Sequence, residues 1–143
     1  MLAELHDDKL QSSQSDNIKL VSDFYKAVFM DRSLDICDRV IIDDYVNHSS
    51  FVENGRENFK EYFKQYYKTF GKSGSDIVHI FEQDDRVCVY ATHWASNKLF
   101  TVRFKAIDIY KIKDGKLVEH WDSVEGLNGF SRFIFVVKAV LKL

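Results

Sequence analysis

The hydrophobic residues of this chain change their spacing once, near residue 76, and that change limits the fold more than any other feature. Before it, apolar side chains recur at the spacing of an amphipathic helix. After it, apolar and polar residues alternate, as in a strand with one buried face. Helices that precede strands along a chain are typical of an α+β fold.

Three helices are predicted in the first half. The first helix begins at a cap, residue 15 or 16, and runs to about Asp31. Its inward face comprises Ile18, Val21, Tyr25 and Val28. Ser33 caps a short second helix, which buries Ile36, Val40 and Ile41. A loop over 47–54 follows. Gly71 closes the third helix as a C-cap, and its stripe is rich in rings: Phe59, Tyr62, Phe63, Tyr66 and Phe70.

Four strands are predicted in the second half, over residues 76–83, 86–95, 99–112 and 116–125. The turns between them contain Asp84 and Asp85, Ser96 and Asn97, and Asp114 and Gly115. Asp-Gly is a strong hairpin signal because both residues tolerate positive φ. We therefore expect a meander that forms a cone-like, curved antiparallel sheet, with three helices enclosing an apolar pocket.

The composition indicates what such a pocket binds. The chain has 12 Phe and 7 Tyr, so large rings are expected to line its interior, and a small hydrophobic molecule is the expected partner. The net charge is −2 and no stretch concentrates Lys and Arg, which argues against a nucleic-acid partner.

Nothing in the sequence divides the chain, so residues 1–143 are predicted to form one domain, with 1–14 as a frayed tail and 127–143 as a C-terminal appendage. Cys37 and Cys88 match no metal spacing and suit free thiols in a reducing compartment. The first residues lack the apolar run of a secretory signal. We therefore expect a cytoplasmic protein.

The last stretch, residues 130–143, is predicted as a helix with an inward face, although 133–137 also fits a strand. The face comprises Phe130, Phe133, Ile134, Val137 and Leu141. Lys138 and Lys142 interrupt an apolar run that is too short to span a bilayer. Three roles compete: a lid on the pocket or core element, a dimer contact, and an anchor at a membrane surface.

Two motifs carry a family resemblance. Residues 45–50, Tyr-Val-Asn-His-Ser-Ser, with Gly55 after them, resemble in part the Tyr-x-Gln-His-Asn-Pro…Gly pattern of SnoaL-like polyketide cyclases; Asn and Ser-Ser replace Gln and Asn-Pro. Residues 108–122 look like that family's Asp-Ile-Phe-Arg…Asp-Gly-Lys-Ile-x-Glu-His-Trp-Asp signature. The resemblance covers residues 15–125. It implies a fold of the nuclear-transport-factor-two type and a homodimer, for which the outer sheet face is the expected contact.

The same resemblance implies site residues. Asp122, which closes the second motif, corresponds to the aspartate that acts as acid and base in an intramolecular aldol condensation in active cyclases. The Asp-Ile-Tyr-Lys run is also similar to ketosteroid isomerases, where the aspartate, here Asp108, donates to an oxyanion. By that likeness His48 lies near the position of the isomerase base.

The strand register tests whether Asp108 meets Asp122. Side chains that face each other across a hairpin point the same way, and the face that holds Asp108 is the apolar one. A two-residue turn at 114–115 sets Asp108 opposite Trp121, whereas a three-residue turn that adds Lys116 sets it opposite Asp122; we favour the second. Two carboxyl groups in one apolar pocket then give one acid and one base, the division that enolisation needs.

The candidate site residues follow. The catalytic candidates are Asp122, His48, Asp108 and His120, the last of which shares a face with Asp122. The residues expected to bind substrate are Tyr45, Asn47, Phe63, Tyr66, Tyr90 and Phe104. His79 and His93 are interpreted as structural. The histidines lack the close spacing of a zinc site, so neither metal nor cofactor is expected.

Two functions fit these residues. The first is a small cofactor-free enzyme that performs aldol cyclisation or isomerisation on a hydrophobic carbonyl compound. The second is a non-catalytic ligand-binding or dimerisation module, because one fold hosts many functions. Contact of residues 130–143 with a membrane surface is a third, weaker possibility. An open cavity with Asp122 at its floor favours the enzyme, and a cavity filled by Phe and Tyr favours the module.

Overall fold

A computed structural model describes residues 14–141. The helices are α1 (Asp16–Tyr25), which continues as one π-helical segment (Lys26–Met30), α2 (Cys37–Val40), α3 (Arg56–Thr69) and α4 (Gly129–Leu141). The strands are β1 (Ile41–Asn47), β2 (Lys72–Gln83), β3 (Arg86–Ser96), β4 (Thr101–Lys113) and β5 (Lys116–Gly126). The expected frayed tail, residues 1–14, lies outside the described residues except for Gln14.

The five strands form one curved, unclosed sheet in the order β1-β5-β4-β3-β2. The predicted meander of four strands is confirmed as β2 to β5, and the α+β class with it. The additional strand, β1, pairs in parallel with β5, so the sheet is not purely antiparallel. Its residues were predicted as the end of a helix and the start of a loop. That prediction was wrong because Ile41 and Tyr45, which are buried, fit a helical spacing as well as a strand.

The β4–β5 hairpin contains one extra residue, and this residue decides which side chains face each other. Asp114 and Gly115 form a two-residue turn with positive φ, which pairs Lys113 with Lys116. Val118 is then an unpaired bulge, because Ile112 pairs with Leu117 and Lys111 with Glu119. The shift places Asp108 opposite Asp122. The favoured pairing is thus confirmed, but the three-residue turn offered as its cause is wrong.

The core lies between the inner face of the sheet and helices α1 and α3. Phe24 of α1 contacts Phe59 of α3 at 5.6 Å and Tyr110 of β4 at 5.7 Å between ring centroids. All three rings are buried. The ring-rich stripe of α3 therefore packs onto the sheet as predicted, although the helix ends at Phe70 in an extended conformation, not at a left-handed Gly71.

Helix α4 confirms the helical interpretation of the C-terminal segment. Asn128 caps it by accepting a hydrogen bond from the Ser131 amide at 3.1 Å, and Ser131 donates to the Arg103 carbonyl at 2.8 Å. These bonds turn Ser131 inward, so the inward face differs from the predicted one. Phe133 and Leu141 are 64% and 60% exposed. No helix within residues 14–141 has the length and apolar character to span a membrane.

Candidate active site

The sheet register brings the two predicted carboxyl groups together on the concave face. Asp108 of β4 pairs with Asp122 of β5, and His120 lies two residues before Asp122 on the same face. Two same-face positions further along β4 and β3, the side chains of Phe104 and His93 stack at 4.7 Å. Alternation in three adjacent strands therefore directs these five polar or aromatic groups toward the same cavity.

Asp108 is the centre of this cluster. It is 5% exposed, and each of its oxygens has its own partner. Oδ1 lies 2.8 Å from Nε2 of His120, and Oδ2 accepts a hydrogen bond from the Tyr25 hydroxyl at 3.1 Å. A carboxyl group this deeply buried is stable only when its oxygens are bonded. Both bonds meet that requirement.

The hydrogen bonds continue beyond Tyr25 into β3 and β2. The Tyr25 oxygen lies 2.8 Å from Nε2 of His93, and Nδ1 of His93 lies 2.6 Å from the Ser75 hydroxyl. Burial lowers the pKa of His93 to about 4, so its ring is neutral at pH 7. Since Tyr25 donates to Asp108, His93 donates through Nε2 and accepts from Ser75 through Nδ1. In this series of hydrogen bonds, Ser75, His93 and Tyr25 therefore each donate a proton in the direction of Asp108.

On the other side of Asp108, the hydrogen bonds of Asn47 determine that one nitrogen of His120 carries a proton. Oδ1 of Asn47 accepts the Ser49 amide at 3.1 Å, so this atom is an acceptor, and it lies 2.9 Å from Nδ1 of His120. Nδ1 therefore carries a proton. The contact between Nε2 and Asp108 then requires one more proton, held either by the imidazole or by the carboxyl group. We call the six residues the Asp108 network: Asn47, His120, Asp108, Tyr25, His93 and Ser75.

Asp122 differs from Asp108 in having open space beside it. Its side chain is half-buried and lines the floor of an inner cavity of about 90 Å³. It also borders an outer groove of about 520 Å³. No residue within 14–141 forms a side-chain hydrogen bond or ion pair with it under ordinary distance limits. The Asp122 carboxylate is thus the group at this floor that is free to contact a ligand.

Rings form the walls above this floor. Tyr62, Phe63 and Tyr66 of α3 lie on one side of the inner cavity, and Phe104 lies on the other. Burial raises the pKa of Tyr62 and of Tyr66 to about 12, so both hydroxyls stay protonated. A second cavity of about 220 Å³, which we call the helix-side cavity, shares Tyr62, Tyr66 and Phe104 and is lined on one side by α4. The C-terminal helix therefore contributes a wall to the cavity beside the inner one.

Seven predicted site residues line the inner cavity: Asp108, His120, Asp122, Asn47, Phe63, Tyr66 and Phe104. The signal was alternation along a strand or the stripe of α3 for all of them except Asn47, which was named from the motif of residues 45–50. Whether they act on or bind a substrate stays a prediction. The motifs of residues 45–50 and 108–122 both contribute to the lining of this cavity.

Three predicted site residues lie elsewhere. His48 lies on the outer side, where its ring stacks on Trp121 at 5.0 Å and its Nε2 lies 2.7 Å from Glu119. Tyr90 is also on the outer face, stacked on His79. The outward direction of Tyr90 follows from strand alternation, since its neighbours Val89 and Ala91 are buried. Tyr45 is buried in the core against Phe59 instead of in the cavity wall, and its hydroxyl has no partner among the described residues.

Sequence reasoning missed Tyr25, His93 and Ser75 as members of the site. Tyr25 was predicted to lie on the buried stripe of α1. Its polar role is apparent only in the folded chain, where its hydroxyl contacts Asp108 of the distant strand β4. His93 lies on the same face of β3 as Val89 and Ala91, which are buried, so alternation along the strand predicts that its side chain points inward. Alternation could not predict its hydrogen-bond partners, because Ser75 is 18 residues away along the chain.

The cluster also contains atoms of the kind that bind metals. One ligand atom each from Asp108, His120 and Asp122 lies within 4.8 Å of the others. Both nitrogens of His120 and both oxygens of Asp108 already have protein partners, so a metal ion would have to displace at least one of them. Hydrogen bonding accounts for this arrangement without an ion. That the protein needs neither metal nor cofactor stays a prediction.

Comparison with known proteins places the site in a family context. A family model described as SnoaL-like polyketide cyclase matches residues 19–129. The fold resembles a proposed polyketide cyclase from Acidithiobacillus ferrooxidans, with 17% identity, 90% of this chain and 99% of that chain covered, and a TM-score of 0.70. No curated protein sequence matches this chain.

Two further structures have the same fold. IdmH, a proposed polyketide cyclase from Streptomyces antibioticus, is 14% identical, with 85% of this chain and 98% of that chain covered and a TM-score of 0.69. AclR, a proposed hydroxylase from Streptomyces galilaeus, is 20% identical, with 79% and 91% covered and a TM-score of 0.67. At these identities the likeness establishes the fold.

Proposed function

The chain belongs to the SnoaL-like polyketide cyclase family, and on this premise we propose that it is an enzyme that performs acid–base chemistry on a hydrophobic carbonyl compound. The observation that carries the proposal is the position of Asp122. Its carboxylate is half-buried at the floor of a ring-lined cavity and close to Asp108 and His120, which share a proton. A base beside a proton donor is what enolisation requires.

In the proposed first step, Asp122 removes a proton from the carbon next to the substrate carbonyl. The electron pair of that C–H bond forms the enolate, and the negative charge moves to the carbonyl oxygen. His120 and Asp108 stabilise this oxygen with the proton that they share. Their ligand atoms lie within 4.8 Å of Asp122, so one small group can contact both sides.

In the second step, the enolate carbon attacks another carbonyl carbon of the same molecule and forms a C–C bond. The new alkoxide takes the proton that Asp122 removed, so atoms and charge balance without a co-reactant. If no second carbonyl is in reach, the proton returns to a different carbon and the product is an isomer. The aromatic walls suit either reaction because they exclude water from the enolate.

The remaining members of the Asp108 network are positioning residues in this proposal. Tyr25 and His93 hold the carboxyl group of Asp108 in one orientation, and Asn47 does the same for the His120 ring. Such support matters because a displacement of about 1 Å can cost on the order of 100-fold in rate. His48 has no part in it.

The test measures exchange of the protons next to a carbonyl for deuterium, which needs no knowledge of the natural substrate. With 2-tetralone in D₂O, the protein should accelerate exchange, and Asp122→Asn should lower that acceleration by about 100-fold or more. Asp76→Asn, at an exposed position of β2, is the matched control and should exchange at the rate of the unmodified protein. Equal rates for Asp122→Asn and the unmodified protein would remove the assignment.

One observation favours the second function, a non-catalytic binding module. The inner cavity has a volume of about 90 Å³, below the ~300 Å³ at which ligand pockets usually begin, although the helix-side cavity adds about 220 Å³. A binding module would bind 2-tetralone without accelerating exchange. The same experiment therefore separates the two functions.

A further inference from the structure

Lys138 of α4 lies where three cavities outside the inner one meet, and we call this place the mouth of the pocket. Its side chain lines the helix-side cavity, the outer groove and a third depression of about 610 Å³ beside the loop of residues 48–54. Its Nζ lies 4.1 Å from the centroid of the Phe51 ring. The ammonium group is therefore held over the entrance instead of extending into bulk solvent.

The surroundings of Lys138 contain little negative charge to neutralise it. It forms no ion pair with any carboxylate of the described chain, residues 14–141, and burial lowers the pKa of its ammonium group. Glu53 is the one carboxylate that lines the depression beside the loop. The other polar groups of that lining are uncharged: Asn47, Ser49, Ser50, Asn54 and Asn58. Such a mouth suits an anion that accepts hydrogen bonds.

The opposite charge lies deeper in the pocket. Asp122 borders the same outer groove as Lys138, and the Phe51 and Phe135 rings meet there, 5.7 Å apart. An anionic ligand would be repelled by Asp122 and attracted by Lys138, so its acidic group stays at the mouth while its neutral end enters. Charge thus defines a direction along the pocket.

We propose that the ligand of this pocket is an aromatic or polycyclic carbonyl compound that bears a carboxylate, which Lys138 binds at the mouth while the neutral carbonyl end faces Asp122. The inference deepens the proposed function, on whose pocket it rests. It assigns Lys138 as a residue that selects and orients the substrate. The rings of Phe51 and Phe135 pack against the body of the ligand between the two charges.

The test compares 2-naphthoate with 2-naphthamide, which have the same ring system but differ in charge. NMR titration of the full chain should show that Lys138→Met weakens 2-naphthoate binding about tenfold while 2-naphthamide binding changes less than about twofold. Lys64→Met, on the exposed face of α3, should affect neither compound. Lys138→Gln keeps a polar group and should give the same selective loss, which guards against a folding defect in the first variant.

A similar change for both compounds, or for neither, would overturn the assignment of Lys138. Asp122→Asn separates this result from the proposed catalysis. The Asp122→Asn variant should bind 2-naphthoate at least as tightly as the unmodified protein, because it lacks the carboxylate that repels the negative charge of this ligand. If Asp122→Asn keeps full exchange activity while Lys138→Met loses 2-naphthoate selectively, the catalytic proposal falls and the anion site stands. If Asp122→Asn instead loses exchange activity while Lys138→Met shows no selective loss of 2-naphthoate binding, the catalytic proposal stands and the anion site falls.

Discussion

The hydroxyl of Tyr25 bridges two buried groups, because its oxygen links the side chain of His93 on β3 to the side chain of Asp108 on β4. Tyr25→Phe keeps the ring and removes this oxygen, which leaves Asp108 and His93 each without one partner. We expect a loss of about 1–3 kcal/mol in the free energy of unfolding. Urea denaturation at pH 7 measures it.

Tyr90→Phe is the control for this prediction, because its half-buried hydroxyl lies on the outer face of the sheet and has no role in the network. It should change the free energy of unfolding by less than about 0.5 kcal/mol. Equal stability of Tyr25→Phe and the unmodified protein would mean that the bridge is not formed in solution.

The neutral ring of His93 predicts a dependence of stability on pH. Its folded-state pKa is about 4, whereas an unfolded histidine has a pKa of about 6.5. Between these values the unfolded chain binds a proton that the folded chain does not. Stability is therefore fully present above about pH 6.5 and falls as the pH drops toward 4, by on the order of 3 kcal/mol from this residue.

NMR of the imidazole carbons checks the assignment directly. The His93 signals should not titrate between pH 8 and pH 5.5, and His93→Gln should flatten the dependence of stability on pH in that acidic window. A His93 signal that titrates near pH 6.5 would contradict the prediction, as would an unchanged pH dependence in His93→Gln.

At the scale of elements, the junction between β5 and α4 is tightly packed at Gly126. A Cβ at Gly126 would lie 2.7 Å from the Ser131 Oγ and 2.8 Å from the Arg132 amide nitrogen. Gly126→Ala should therefore push α4 away from the sheet and cost about 1–3 kcal/mol. Thermal unfolding measures the loss, and limited proteolysis within α4 should become faster.

Gly129→Ala is the matched control, since a Cβ there meets no atom within 4 Å and the residue begins the helix. Its unfolding temperature should match that of the unmodified protein or exceed it. If Gly126→Ala behaves in the same way, α4 does not pack as described.

Local signals predicted the elements well where the spacing was unambiguous. The position of the hairpin turn at Asp114 and Gly115 and the stripe of α3 were predicted correctly because each depends on neighbouring residues, although the favoured three-residue length of that turn was wrong. Strand β1 was missed because it pairs in parallel with β5, more than 70 residues away in sequence, and no local spacing encodes that partner. The Val118 bulge was missed for a similar reason. Its effect on Asp108 was predicted, but its position was not.

At the scale of the whole molecule, the outer face of the sheet carries exposed apolar side chains. Phe81 and Ile107 are 55% and 46% exposed, and Phe81, Cys88 and Ile109 border a depression of about 370 Å³. We propose that a second copy of the chain covers this face, as the family resemblance implies. Ile107→Glu should then convert a dimer into a monomer in sedimentation experiments.

Helix α4 offers a rival surface for that dimer, because Val136 and Val140 are 61% and 72% exposed. Val136→Glu is therefore the comparison variant, and it should leave the dimer intact. A monomer from Val136→Glu, with Ile107→Glu still dimeric, would assign the contact to the C-terminal helix instead. A monomeric unmodified protein would remove the proposal altogether.

The candidate site was predictable in part for the same reason as the fold. Asp108, His120 and Asp122 belong to one hairpin, so their common face follows from alternation. His48 was misplaced because its loop direction depends on the backbone bond from its amide to the His120 carbonyl, 2.8 Å long, which turns its ring outward. Tyr25 and His93 come from elements that meet only in the folded chain.

The unpaired residue in the last hairpin has a genetic consequence. Loss of the single codon for Val118 would remove the bulge and leave every pair of β4 and β5 in place, because Glu119 would follow Leu117 directly and still lie opposite Lys111. Asp108 would still face Asp122, and the same side chains would face the pocket. The hairpin thus contains one position at which an in-frame deletion of a single residue spares the site.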